Sequence, residues 1–207
     1  MKKIIIALFI TCLILTGCKK EEDIPKSSLK EENGVYSVVL NGKELTLTFK
    51  EEVTKKNKKQ VAVLLNDEDI MKYTRYYDGK NLYDDLKVAL VKGTDKKSYL
   101  AFALGNWTGS KFNQYLYIMN DEGKVIYHID DTKFGAAFLD YSNIEELTSM
   151  YGDTGMVKIE DDKITYLRDF NYTPDEEFVR LQENIITIDN SEITETKGNI
   201  IKAAKVA

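Results

Sequence analysis

Cysteine, histidine, proline and tryptophan are all scarce in this chain of 207 residues, with two cysteines, one histidine, two prolines and one tryptophan. Both cysteines, Cys12 and Cys18, fall near the start, so the rest of the chain must hold together without a disulfide and act without a thiol. The single histidine, His128, leaves no imidazole pair for zinc. His128 and Asp130 would share one side of a strand, but zinc prefers at least one further nitrogen or sulfur ligand. No G-x-S-x-G or G-x-G-x-x-G pattern and no phosphate loop occurs, which removes the common signatures of a serine hydrolase or a nucleotide site. Lysines and arginines form no stripe. Acidic residues outnumber basic ones 34 to 29, a formal charge of −5 that speaks against nucleic acid or anionic lipid as a partner.

The clearest signal lies in the first eighteen residues. Lys2 and Lys3 are followed by a run from Ile4 to Leu15 that is apolar except for Thr11 and Cys12, the layout of an export signal. A spanning helix needs roughly twenty apolar residues, more than this run offers. It closes on Leu15-Thr16-Gly17-Cys18, which closely resembles the lipobox of bacterial lipoproteins. The resemblance implies that residues 1–17 are a signal peptide cut just before Cys18 and that the Cys18 sulfur carries diacylglycerol. A cysteine suits that role because its thiolate is a strong nucleophile. Cys12, Lys2 and Lys3 would leave with the leader, taking the charge from −5 to −7. Two acyl chains, at ~0.8 kcal/mol per buried CH₂, meet the two-signal condition for stable anchoring. The expected location is the extracytoplasmic face of a cell membrane, with the lipid on Cys18 as the link.

Residues 18–33 comprise that cysteine and the run KKEEDIPKSSLKEEN, whose charge density marks a tether rather than a core. Residues 34–207 suit a single domain by length. In VYSVVL-NG-KELTLTF, Asn41-Gly42 supplies the two positive φ values of a type I′ hairpin turn, with Leu40 opposite Lys43. Tyr36, Val38, Leu45 and Leu47 then share a core face, and Ser37, Glu44, Thr46 and Thr48 share the other. VAVLL at 61–65 reads as the next strand.

QYLYIM-NDEG-KVIYHI, residues 114–129, reads as a second hairpin with Gly123 in the left-handed position of a bulged turn. Pairing Asn120 with Lys124 would set Ile118 opposite Ile126, Leu116 opposite His128, and Tyr117 against Tyr127. Both faces of this hairpin are largely apolar or aromatic, as expected of strands covered on both sides. DLKVALV and YLAFAL, at 85–91 and 99–104, add two more apolar runs. IITID at 185–189 returns to strand, and the tail NIIKAAKVA is too short to span a membrane.

Two helices are expected. Ser142-Asn143-Ile144-Glu145 has capping-box form and points to a helix near 143–151; Thr173-Pro174-Asp175-Glu176 points to another near 174–183. The fold class that follows is α+β, mostly β, built of antiparallel hairpins and meanders with two short helices in a single domain.

Acidic pairs occur at Asp67-Glu68-Asp69, Asp84-Asp85, Asp130-Asp131 and Asp161-Asp162, none in the spacing of a calcium-wrapping loop. The stretch Tyr77-Asp78-Gly79-Lys80-Asn81-Leu82, leading into DLKVALV, resembles one repeat of the FG-GAP or VCBS type found in secreted β-propellers. That resemblance implies a calcium ligand at Asp78, but Thr74 and Tyr76 stand where further ligands belong. We expect no metal and no cofactor, and read the acidic pairs as turn residues.

Binding is suggested by aromatic rings beside small polar residues. Tyr73, Tyr76 and Tyr77 cluster around Arg75, and Trp107 sits in the loop Gly105–Ser110, a mixture favoured at recognition surfaces. The expectation is a non-catalytic, lipid-anchored module binding a protein, peptide or glycan partner. An envelope hydrolase using paired aspartates such as Asp130 and Asp131 is the alternative, and a purely structural envelope protein a third.

Overall fold

The computed structural model describes residues 25–54, 59–74, 86–108, 111–131, 157–171 and 178–204. Thirteen strands are described: β1 (Ser28–Glu32), β2 (Val35–Leu40), β3 (Lys43–Val53), β4 (Lys59–Leu65), β5 (Glu68–Thr74), β6 (Leu86–Lys92), β7 (Ser98–Thr108), β8 (Lys111–Met119), β9 (Val125–Asp131), β10 (Val157–Ile159), β11 (Ile164–Asn171), β12 (Phe178–Asp189) and β13 (Glu192–Ala204). They form three antiparallel meanders in chain order, β1 to β5, β6 to β9 and β10 to β13. The described part is therefore mostly β, and no helix occurs among the described residues.

The meanders stack as three layers with the second in the middle. One core joins Val38, Leu40, Leu45, Leu47, Phe49, Val61, Val63, Leu65 and Tyr73 of the first sheet to Leu100, Phe102, Leu104, Tyr115, Tyr117 and Met119 of the second. The other joins Tyr99, Ala101, Ala103, Leu116, Ile118 and Ile129 of the second sheet to Val157, Ile164, Tyr166, Ile186 and Ile188 of the third. Successive residues of β7 and β8 thus serve opposite cores, which is why these strands read as continuous apolar runs. The expectation of a hairpin covered on both faces describes the middle sheet.

Four of the hairpins share one turn chemistry. Asn33-Gly34, Asn41-Gly42, Asn66-Asp67 and Asn190-Ser191 all have both residues at positive φ, with the asparagine between 49° and 52°. This is the type I′ turn, whose twist matches that of the strands it joins, and asparagine tolerates the left-handed region better than other side chains with a Cβ. The β2–β3 hairpin has the expected register, with Leu40 opposite Lys43, Val38 opposite Leu45 and Tyr36 opposite Leu47.

Four expectations are revised. Residues 28–32, assigned by their charge to the tether, form β1, paired to β2 through the Asn33-Gly34 turn. An edge strand can carry Lys30, Glu31 and Glu32 because water solvates its outer side, and charge there discourages edge-to-edge association. Second, the helix near 174–183 gives way, from Phe178 onward, to β12. Phe178, Val179 and Leu181 suit a pleated sheet, and pairing with the thirteen-residue β13 prevails over the local capping signal. The tail joins β13 as far as Ala204. Residues 174–177 and the helix expected near 143–151 lie outside the described residues.

Third, the β8–β9 register carries a bulge between Ile118 and Met119, so Leu116 faces Ile129, Tyr117 faces His128 and Ile118 faces Tyr127. The turn itself forms as read, with Gly123 at φ 74° and the Asn120 amide donating to the Lys124 carbonyl at 3.0 Å. One extra residue on β9 moves the partners along by one. Tyr117 and Tyr127 consequently serve different cores instead of pairing. Fourth, Gly105 through Thr108, read as part of a loop, continue β7 and pair with β8.

Candidate functional site

Alternate positions on β1, β2 and β3 put Ser28, Val39 and Glu44 in one cross-strand row and Lys30, Ser37 and Thr46 in the next. These rows lie on the side of the first sheet away from its core and line a groove of about 310 Å³. One ammonium, one carboxylate, three hydroxyls and an isopropyl group offer donors and acceptors along a shallow channel. Such a surface can hydrogen-bond an extended polar chain. The polar face of β2 and β3 was legible from alternation, whereas the contribution of β1 was hidden by its tether-like composition. The turn pair Asn33-Gly34 was the signal that could have revealed it.

The residues expected to bind a ligand do not form one exposed cluster. Tyr73 is 6% exposed and packs in the first core, its ring 5.4 Å from that of Tyr115. It is a core residue, and its β propensity and apolar ring account for it. Trp107 lies on β7 with its backbone opposite Phe112, toward the end of the strand remote from Ser98. Tyr76, Tyr77 and the Asp78–Leu82 stretch lie outside the described residues, as do Asp84, Asp85 and Cys18.

Acidic residues take separate structural roles. Asp67 occupies a turn, and Asp69 pairs with Lys72 at 2.8 Å. That bond, opposed by slight desolvation and aided by the charges of Asp69 and Glu52, holds the Lys72 ammonium above its ordinary range. The Asp161 carbonyl accepts from the Lys92 amide at 2.6 Å. Desolvation works to raise the Glu160 pKa, but bonds and charge from Lys158 and Lys163 prevail and hold it below the usual carboxylate range. Asp130 and Asp131 are consecutive residues of β9, in register with Tyr115 and Gln114. Consecutive strand positions belong to opposite faces of a sheet. His128 is exposed and stacks on Tyr117 at 5.6 Å between ring centres. Among the described residues, no three His, Cys, Asp or Glu side chains group so as to hold a metal ion.

The remaining polar side chains of note are clamps between layers. Asn41 docks the first sheet on the second: its side chain donates to the Ser98 carbonyl at 3.0 Å and accepts from the Ser98 amide at 2.9 Å, completing a ladder-like pair. Tyr99 fastens the second sheet to the third, donating to Asp95 at 2.8 Å and accepting from the Ser191 amide at 2.8 Å. Burial raises the Tyr99 pKa. Tyr127 and Tyr166 both donate to the Glu195 carboxylate, at 3.0 and 2.7 Å. Burial, then the bonds to Tyr127 and Glu195, push the Tyr166 phenol far above its usual range. Sequence reading missed these clamps because their partners are up to 92 residues apart.

No family model, curated protein or solved structure matches this chain.

Proposed function

We propose that this chain is a lipid-anchored bacterial protein of the extracytoplasmic membrane face, whose three-layer β domain binds a protein, peptide or glycan partner without catalysis. The observation that carries the reading is the box Leu15-Thr16-Gly17-Cys18 closing a basic, then apolar, leader. Only nine residues separate Cys18 from the first strand, so the domain works close to the lipid. The groove over Ser28, Lys30, Ser37, Val39, Glu44 and Thr46 supports the binding part, because its spaced hydroxyls and opposite charges suit an extended polar ligand. A hydrolase acting through Asp130 and Asp131 finds less support, since neighbouring strand positions divide between two faces.

Two measurements test the reading. Radiolabelled palmitate should enter the wild-type protein and not Cys18→Ala, which should leave the membrane fraction; a wild-type chain that stays unlabelled would overturn the anchor. Envelope extracts passed over the full chain should yield a stoichiometric partner whose retention falls at least about tenfold for Lys30→Ala with Glu44→Ala, since two lost charged hydrogen bonds of ~1.5 kcal/mol or more each exceed that factor. Unchanged retention would remove the groove from the proposal.

A further inference from the structure

The six turns β2–β3, β4–β5, β6–β7, β8–β9, β10–β11 and β12–β13 all gather at one end of the stack. Asn41 binds Ser98 beside the β6–β7 turn, and the Thr94 amide of that turn donates to the Ile188 carbonyl at 2.8 Å. The Asp161 carbonyl meets Lys92. Lys43 pairs with Asp121, and a Cβ on Gly123 would lie 3.2 Å from Leu65 and 3.9 Å from Asn66. The connections that leave β3, β5, β7, β9 and β11 start from the opposite end, as a meander requires.

The chain enters the fold at the six-turn end. Pro25 sits 3.0 Å from where a Gly42 Cβ would be, and the Asn41 amide donates to the Ser27 hydroxyl at 2.9 Å. Seven residues lead from Cys18 to Pro25, and a chain of that length spans at most ~25 Å. The eleven residues of β3 alone measure ~36 Å from end to end. A linker shorter than the domain cannot let it turn over.

We infer that the lipid on Cys18 holds the six-turn end against the bilayer surface and presents the opposite end, where β7 carries Trp107, to the surrounding medium. The inference rests on the lipidation of Cys18 proposed above. Lying flat on a face offers no compensating gain: the groove side of the first sheet is polar, and the exposed large apolar residues found among the described ones, Val35, Val53 and Ile200, are scattered. Single apolar residues do not make an insertion surface.

Fluorophores on single cysteines introduced into the full-length lipidated protein test this, because Cys12 leaves with the leader and the Cys18 sulfur is blocked. Lys97→Cys and Glu122→Cys report the six-turn end, and Val53→Cys the other. In phosphatidylcholine vesicles carrying a nitroxide headgroup lipid, quenching at Lys97→Cys and Glu122→Cys should be several-fold stronger than at Val53→Cys. Inserting about fifteen Gly/Ser residues between Asp23 and Ile24, which raises the maximal span of the linker well beyond the length of β3, should erase that difference. Equal or reversed quenching in protein whose mass includes the lipid would overturn the orientation alone. A mature chain whose mass lacks the lipid would overturn the anchor and the orientation together.

Discussion

The two faces of β7 meet their neighbours through different chemistry. Toward the first sheet it offers Leu100, Phe102 and Leu104; Phe102 stands edge-on to Phe49 at 5.4 Å and stacks on Tyr117 at 5.1 Å. The rings continue outward from Phe49 to Tyr36 and from Tyr117 to His128. Toward the third sheet it offers Tyr99 and two small residues, Ala101 and Ala103, that let the layers approach, while phenols at Tyr99, Tyr127 and Tyr166 reach carboxylates and amides on neighbouring elements. Dispersion and apolar burial dominate the first interface, and directional polar clamps supplement the second. One strand can therefore serve two layers whose sensitivity to volume and to pH differs.

Removing an aromatic ring from the first interface should have the largest effect. Phe102→Ala should lower unfolding free energy by ~3–5 kcal/mol, read from urea denaturation, with nearly the same loss at pH 7 and pH 10. A loss that changes steeply with pH would break the contrast. Overfilling the second interface comes next: Ala101→Leu should cost ~1–3 kcal/mol because it adds three carbons to a fully buried position in the core between the second and third sheets.

The clamps should yield a smaller change with a distinctive pH profile. Tyr166→Phe should cost ~1 kcal/mol at neutral pH. The phenols of Tyr99 and Tyr166 have folded values raised above the ordinary 10.0. Their stabilisation is therefore complete below about pH 10, where both states are protonated, and declines above it as the unfolded chain gives up its protons first. Wild-type stability should fall from pH 10 upward, and a Tyr99→Phe, Tyr166→Phe variant should show a flatter alkaline decline. Lys72→Ala, which removes exposed ion pairs with Asp69 and Glu52, should leave the urea midpoint unchanged.

Legibility followed the range of the interactions. Asn41-Gly42 announced its hairpin because the turn depends on adjacent residues, and the double-sided apolar pattern of residues 114–129 announced a covered sheet. The Thr-Pro-Asp-Glu sequence at 173–176 misled because a capping signal is local, while Phe178 to Asp189 are extended through partners on β11 and β13. Tyr73 and Trp107 looked alike as candidate ligand residues. Burial of Tyr73 against Tyr115 comes from a strand some forty residues away and is invisible in its neighbours. The groove was half legible, since β1 resembles a solvated linker until it is paired.

By itself the sequence determined the lipobox pattern, the absence of thiols after Cys18, the alternation of β2 and β3 and the asparagine turns, all properties carried by residues close together in the chain. Tertiary structure decided the stacking of three meanders, the division of β7 and β8 between two cores, and the gathering of six turns at one end beside Pro25. Those outcomes depend on which sheet faces come together, and the apolar pattern of a strand says that it will be covered without saying by what.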